Sequence, residues 1–257
     1  MTGLLKAEWL KLSRRWVFRI MTVVLLVVTA MSAVILLVVP EVAPDAIEGL
    51  PQLARGDATI VGVQTVLGQT WFPLILAVVM FGAEVTGTAW AAALTREARR
   101  LRHVVARLVV LSAAAWVAAL VAIAGWELLA ASYTTGPAAY GAGDWLGLVW
   151  KAALVQATWV ALGLGAVALV RSTGVAIGIA VAYSFTEGLL ALWRPFGEIA
   201  LSSASNSLIG QTVADVSGGF GVSGADPMVF AQAVAVVIAW ALVGLALTWA
   251  GVNRREA

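Results

Sequence analysis

Six stretches of this chain, at about Val17–Val39, Val66–Ala83, Leu108–Leu129, Leu148–Val170, Thr173–Trp193 and Val229–Val252, hold at most one charged residue each. A hydrocarbon core about 30 Å thick is crossed by about 20 apolar residues of helix, so each stretch has the length of a membrane span. Inside lipid every backbone amide must be satisfied within the protein, and the alternating pattern of a barrel strand is absent, so the spans are expected to be helices. Composition agrees: 61% of residues are hydrophobic and 12% charged, against roughly 45–50% apolar and about 25% charged in soluble domains. The expected fold is all-α, a polytopic membrane protein with six transmembrane helices in one domain spanning residues 1–257.

The basic residues set the orientation. With the amino terminus inside, Lys6, Lys11, Arg14, Arg15, Arg19, Arg96, Arg99, Arg100, Arg102, Arg107, Arg171, Arg254 and Arg255 fall on the cytoplasmic side, leaving Arg55, Lys151 and Arg194 outside. The positive-inside bias then places both termini in the cytoplasm. A net charge of +2 segregated in this way points to membrane lipid and argues against nucleic acid. With no cysteine, disulfides, thiolate metal sites and thiol nucleophiles are excluded. The first apolar run exceeds the 7–15 residues of a signal-peptide core and is expected to remain as an anchor.

Between the spans, residues 4–17 place Leu5, Trp9, Leu12 and Trp16 at helical spacing with cations elsewhere around the helix, which predicts an amphipathic interfacial helix bending into the first span. A basic flank that only fixes topology is the plainer alternative. Pro40–Gly62, with four acidic residues and three prolines, reads as an outer loop, and the second span enters at Trp71 and Pro73. Residues 84–100 stop being apolar at Glu84 yet remain helix-forming, which predicts a short cytoplasmic helix. Thr86 or Thr88 suits its cap, and Trp90, Ala91 and Leu94 form an apolar face for a groove on a partner; alternatively Trp90 and Leu94 extend the second span. Residues 194–228 form an extracellular segment in which Phe196, Ile199, Leu208 and Ile209 can fold back onto the rim.

Tryptophans at span ends, namely Trp16, Trp71, Trp126, Trp145, Trp193 and Trp249, read as interfacial anchors. Trp116, Trp159 and Trp240 lie deeper and are candidates for helix packing or for lining a pathway. Glu187 sits within the fifth span, where an ionised group usually faces a partner or a wet cavity. It is the first candidate for the pathway, with Lys151 or Arg194 as expected ion-pair partners. Glu127 reads as solvated near the boundary, and Glu84 as pairing with an arginine. Gly163 and Gly165, and the GxxxG pair Gly174 and Gly178, read as sites of close helix approach.

Catalytic chemistry is not expected in this chain. None of Lys6, Lys11 and Lys151 follows a glycine, so there is no P-loop. A single histidine, His103, cannot form a zinc-protease pair. Gly141-Ala142-Gly143-Asp144 matches the GxGD of intramembrane aspartyl proteases but has no second aspartate within a span, and Gly221-Val222-Ser223-Gly224 misses a nucleophile elbow by its last residue.

Glu84, Gly87-Thr88, Leu94, Arg100 and Ala106-Arg107 occur in the order and place of a pattern found in ABC type-2 transporter permeases, the six-span subunits of bacterial exporters of the bacitracin- and drug-efflux kind. The chain resembles that family, departing from it in Glu97, where a proline is common, and in Arg107, where lysine is usual. The resemblance implies a homodimer in a bacterial plasma membrane working with two copies of a separate ATPase, Mg-ATP being held on that partner and no cofactor on this chain. It implies export of a hydrophobic or amphipathic substrate by alternating access. Glu84, Gly87, Thr88, Trp90, Leu94, Arg96, Arg99, Arg100 and Arg107 would then couple the two proteins. A membrane-embedded scaffold or sensor using the same cytoplasmic stretch without transport is the alternative.

Overall fold

The computed structural model describes residues 2–43, 52–85, 100–191, 193–209 and 228–253. Among these, all regular structure is helical. Helix α1 (Thr2–Arg14) is built from good helix formers and carries Lys11 and Arg14 in its last turn, where cations oppose the helix dipole. It ends at Arg15, whose extended backbone (φ −79°, ψ 117°) turns the chain directly into α2. Helix α2 (Trp16–Val42) runs on through one π-helical turn at Val34–Val38.

Next come α3 (Arg55–Leu67) and α4 (Trp71–Val85), separated by a three-residue break at Gly68, Gln69 and Thr70. The outer loop expected to reach Gly62 therefore stops earlier, and its second half is the start of α3. Its acidic residues and prolines made the whole stretch read as a loop, but Ala58, Thr59, Gly62 and Val63 are buried. Helices α5 (Arg100–Tyr133) and α6 (Ala142–Val170) follow, then α7 (Thr173–Leu190), the short α8 (Arg194–Gly197) and α9 (Leu201–Ile209), and finally α10 (Phe230–Asn253).

Among the described residues five helical stretches are long and apolar enough to cross a membrane: Trp16–Val42, Arg55–Glu84, Leu101–Tyr133, Ala142–Val170 and Phe230–Asn253. This fits a membrane location. The remaining expected span coincides with α7, which at 18 residues is shorter than those five and is not among them. It stops at Leu190 instead of reaching Trp193, and the chain then folds back through α8 and α9.

Helix α6 occupies the centre, packed by α10, α4, α5 and α7. Small residues set how near its neighbours come. A Cβ at Gly163 would lie 2.5 Å from the Leu74 carbonyl oxygen of α4, and one at Gly244 of α10 would lie 2.6 Å from the Ala161 backbone of α6. Close approach of this kind maximises van der Waals contact where lipid gives no hydrophobic drive to associate. Gly163 and Gly165 thus pack as expected, whereas Gly174 and Gly178 have nothing within 4 Å among the described residues. The turn from α6 to α7 holds Arg171 in the left-handed region (φ 58°), and the Ser172 hydroxyl accepts the Val175 amide to cap α7. Asp144 is absorbed locally too, accepting the Gly141 amide at 2.9 Å.

Candidate functional site

The second half of α1, the amino-terminal part of α5 and the carboxyl end of α4 converge on a buried set of charges. Glu84 terminates the apolar part of α4, Arg107 lies two turns into α5, and Glu8 projects from the middle of α1; they are 5%, 4% and 7% exposed. Arg107 donates from Nε and Nη2 to Glu8 Oε2, at 3.1 and 2.9 Å, and from Nη2 to Glu84 Oε2. One guanidinium therefore joins two carboxylates from different helices. Its Cζ lies 5.0 Å from the centre of the Phe81 ring, adding a cation–π contact.

Two further cations complete the set. Lys11 Nζ donates to Glu8 Oε1 at 2.8 Å and lies 3.7 Å from Glu84 Oε2. Arg15 reaches Glu84 Oε1 at 3.4 Å and donates to the Met80 carbonyl at 3.2 Å. Burial pushes the Glu8 carboxyl up, but Arg107 and Lys11 outweigh it and hold the group below the ordinary carboxylate value. Arg107 Nη1 is buried without a protein partner, beside a void of about 10 Å³ lined by Glu8, Lys11, Glu84 and Arg107 among others. That is room for about one water.

Glu84 pairs with an arginine as expected; Glu8 was not singled out from the sequence. The interfacial-helix pattern put it on the polar side of α1, yet that side faces the bundle. Leu12 is buried and Leu5 packs on the core, while Trp9 and Trp16 are 50% and 70% exposed. The seam Leu5, Trp9, Leu12 and Trp16 thus divides between two faces. A clue was available in Glu8 and Lys11 standing three residues apart with Leu5 and Leu12 on either side.

Gly87, Thr88, Trp90, Leu94, Arg96 and Arg99, like Thr86 and Ala91, lie outside the described residues. Arg100 opens α5 by its backbone. What the described residues give are the two ends of that segment: Glu84 before it and Arg107 after it, tied to each other and to α1.

At the far end of the bundle Glu187 is 2% exposed and accepts the Ser202 amide at 2.9 Å. It caps the first turn of α9, which folds back so that Leu201, Ala204 and Leu208 join the main core. Leu208 and Ile209 are buried as expected, while Ile199 stays exposed. The expected pairing of Glu187 with Lys151 is replaced by this backbone cap. Lys151 Nζ lies 5.7 Å from the centre of the Phe230 ring instead.

Of the deep tryptophans, Trp159 is fully buried with its ring 5.9 Å from that of Tyr183, and Tyr183 is 6.2 Å from Trp240. Glu187, one turn along α7 from Tyr183, adjoins this aromatic row. Trp240 Nε1 donates to the Ile199 carbonyl, fixing α9's approach to α10. Trp116 stands apart, donating to the Val149 carbonyl between α5 and α6.

Two boundary residues prove to be structural. Trp126 is 1% exposed and donates to the Ala58 carbonyl at 2.8 Å, locking α3 to α5 with its ring enclosed by protein. Glu127 is half-buried and accepts the Thr59 hydroxyl at 3.1 Å, so it is not simply solvated. Among the described residues no group of acidic or histidine side chains is placed to hold a metal ion. No known family model, curated protein or solved structure matches the chain.

Proposed function

We propose that this chain is the membrane subunit of an ATP-binding-cassette exporter of the type-2 class. Six spans, the fifth being α7, carry a hydrophobic or amphipathic substrate across a bacterial plasma membrane with both termini in the cytoplasm. Two copies pair, and two copies of a separate ATPase supply the energy from Mg-ATP. In this reading the partner grips residues 86–99 and its closure displaces α4 and α5.

The observation that supports the reading best is the junction of Glu8, Glu84 and Arg107. A segment pushed from outside must pass force to helices without that force dissipating in a flexible connection. Here the residues flanking the segment are bridged by one guanidinium, and α1 is bound to the same point. Displacement of residues 86–99 therefore moves α1, α4 and α5 together. Arg107 already bonds carboxylates on two helices, and Lys11 lies near both, so a shift can redistribute the bonds without stripping a charge of all its partners. That is what a two-state joint requires.

The test is to replace Trp90, Leu94 and Arg96 together by alanine and to measure co-purification of a candidate partner ATPase, with substrate-stimulated hydrolysis in liposomes. Both are expected to fall at least tenfold. Unchanged values for both would contradict the proposal, and partner binding without reconstituted transport would favour the scaffold or sensor reading.

A further inference from the structure

Midway along α2 and in the half of α5 away from the ionic junction, a cavity of about 220 Å³ opens between the two helices, lined by Leu26, Thr29, Ala30, Ala33, Trp126 and Leu129. Gly125, on the same wall, has nothing within 4 Å of where a Cβ would stand. An apolar cavity of about 150 Å³ takes benzene and stays dry, so this one accommodates something larger than a single unsubstituted ring.

Three irregularities meet at this place. The π-helical turn of α2 begins at Val34, directly after Ala33 on the cavity wall, and such turns are concentrated at functional positions. The span across from it is broken at Gly68, Gln69 and Thr70. Non-helical backbone at membrane depth is tolerated where it is buried in protein or lines a cavity, and broken helices build the binding sites of several transporter folds. Third, Gln69 in that break is 8% exposed and donates to the Thr29 hydroxyl oxygen at 3.1 Å, while its own Oε1 is buried without a partner. Thr22 and Ser32 on the same helix donate to the carbonyl one turn back. Thr29, on the cavity wall, is instead tied sideways to Gln69.

We infer that the cavity between α2 and α5 is a binding site for a small, largely apolar molecule bearing one hydrogen-bonding oxygen, which enters from the bilayer and is held by the Thr29 hydroxyl. Leu26, Ala30, Ala33, Trp126 and Leu129 supply the apolar enclosure, and Gln69 holds Thr29 in place. An acyl chain satisfies the enclosure but leaves the hydroxyl without an acceptor. The inference goes beyond the transport reading and needs no partner ATPase, so the two fail separately.

The probe is a diazirine-tagged monocyclic alkylphenol, photolysed with the full chain in lipid nanodiscs and mapped by peptide mass spectrometry, with the untagged phenol as competitor. Saturable, competable labelling on the peptides holding Leu26–Ala33 and Ala122–Leu129 is expected. Gly125→Leu, which fills the cavity, should lower it at least tenfold. Thr29→Val, which keeps the shape and removes the hydroxyl, should lower it roughly threefold to tenfold, the range of one lost hydrogen bond. Near-wild-type melting of Thr29→Val keeps the result interpretable if Gly125→Leu folds poorly. Labelling that does not saturate, spreads over the lipid-facing helices, or is unmoved by Thr29→Val overturns the inference.

Discussion

Buried carboxylates are satisfied in opposite ways at the two ends of this bundle. Glu8 and Glu84 meet cations carried by α1, by the link into α2 and by α5. Glu187 meets the backbone of a helix that returns to it fifteen residues later in the chain. The cap draws on the adjacent Leu201 and Ser202 amides at one helix end, so it fixes α9 against α7. In the network of three cations and two carboxylates each carboxylate has more than one cation within reach, so in the proposed mechanism its helices shift while the charges stay paired. The first is suited to an anchor and the second to a joint.

The largest effect that can break this contrast is expected from Arg107→Met. It leaves Glu8 and Glu84 buried with too little positive charge, and removing one member of a buried pair costs about 3–5 kcal/mol. Thermal unfolding of the purified protein should show it, and Arg107→Lys should fall between, since an ammonium cannot span both carboxylates as a planar fork does. A neutral result would mean that the junction is wet and loose. Acid should weaken the same place more gradually. Because the Glu8 carboxyl is held below its ordinary value of 4.5, its contribution is complete above that pH and is lost as pH falls through the lowered value. Melting curves taken from neutral pH down past 4.5 should fall more steeply for the wild type than for Glu8→Gln.

At the anchor, Glu187→Ala is expected to cost about 1–3 kcal/mol, the penalty for leaving buried amides unsatisfied. Glu187→Gln, which keeps an acceptor, should recover most of it. Hydrogen exchange at Ser202 reads the cap directly, and protection unchanged by Glu187→Ala would remove the distinction drawn here. The smallest effect belongs to Lys11→Ala. With its side chain 43% exposed, Lys11 should contribute no more than about 1 kcal/mol, and that loss should shrink in high salt if screening governs it.

What could be read from the sequence follows from which interactions are local. Long uncharged runs report membrane crossing directly, and the cores of α2, α5, α6 and α10 fall where such runs predict. Helix α3 escaped because its signal is tertiary: Arg55, Asp57 and Thr59 resemble a loop until Trp126, far along the chain, covers Ala58 and Gly62. Glu84 could be paired in advance with some arginine, since both flank one short segment. Glu8 could not, because only docking of α1 turns a polar helix face inward. Lys151 was the wrong partner for Glu187 for a related reason, as side-chain charges are visible in a sequence and the free amides at the start of a returning helix are not; the Arg194 side chain lies outside the described residues.

The account depends on residues 86–99 facing the compartment that holds ATP. Since the chain has no cysteine, Arg96→Cys alone suffices to test this with a membrane-impermeant maleimide, applied in parallel to intact cells and to inside-out vesicles. Labelling confined to the inside-out vesicles is the predicted result. Labelling in intact cells would put the segment on the outer face, and no cytoplasmic ATPase could then drive the junction between Glu84 and Arg107.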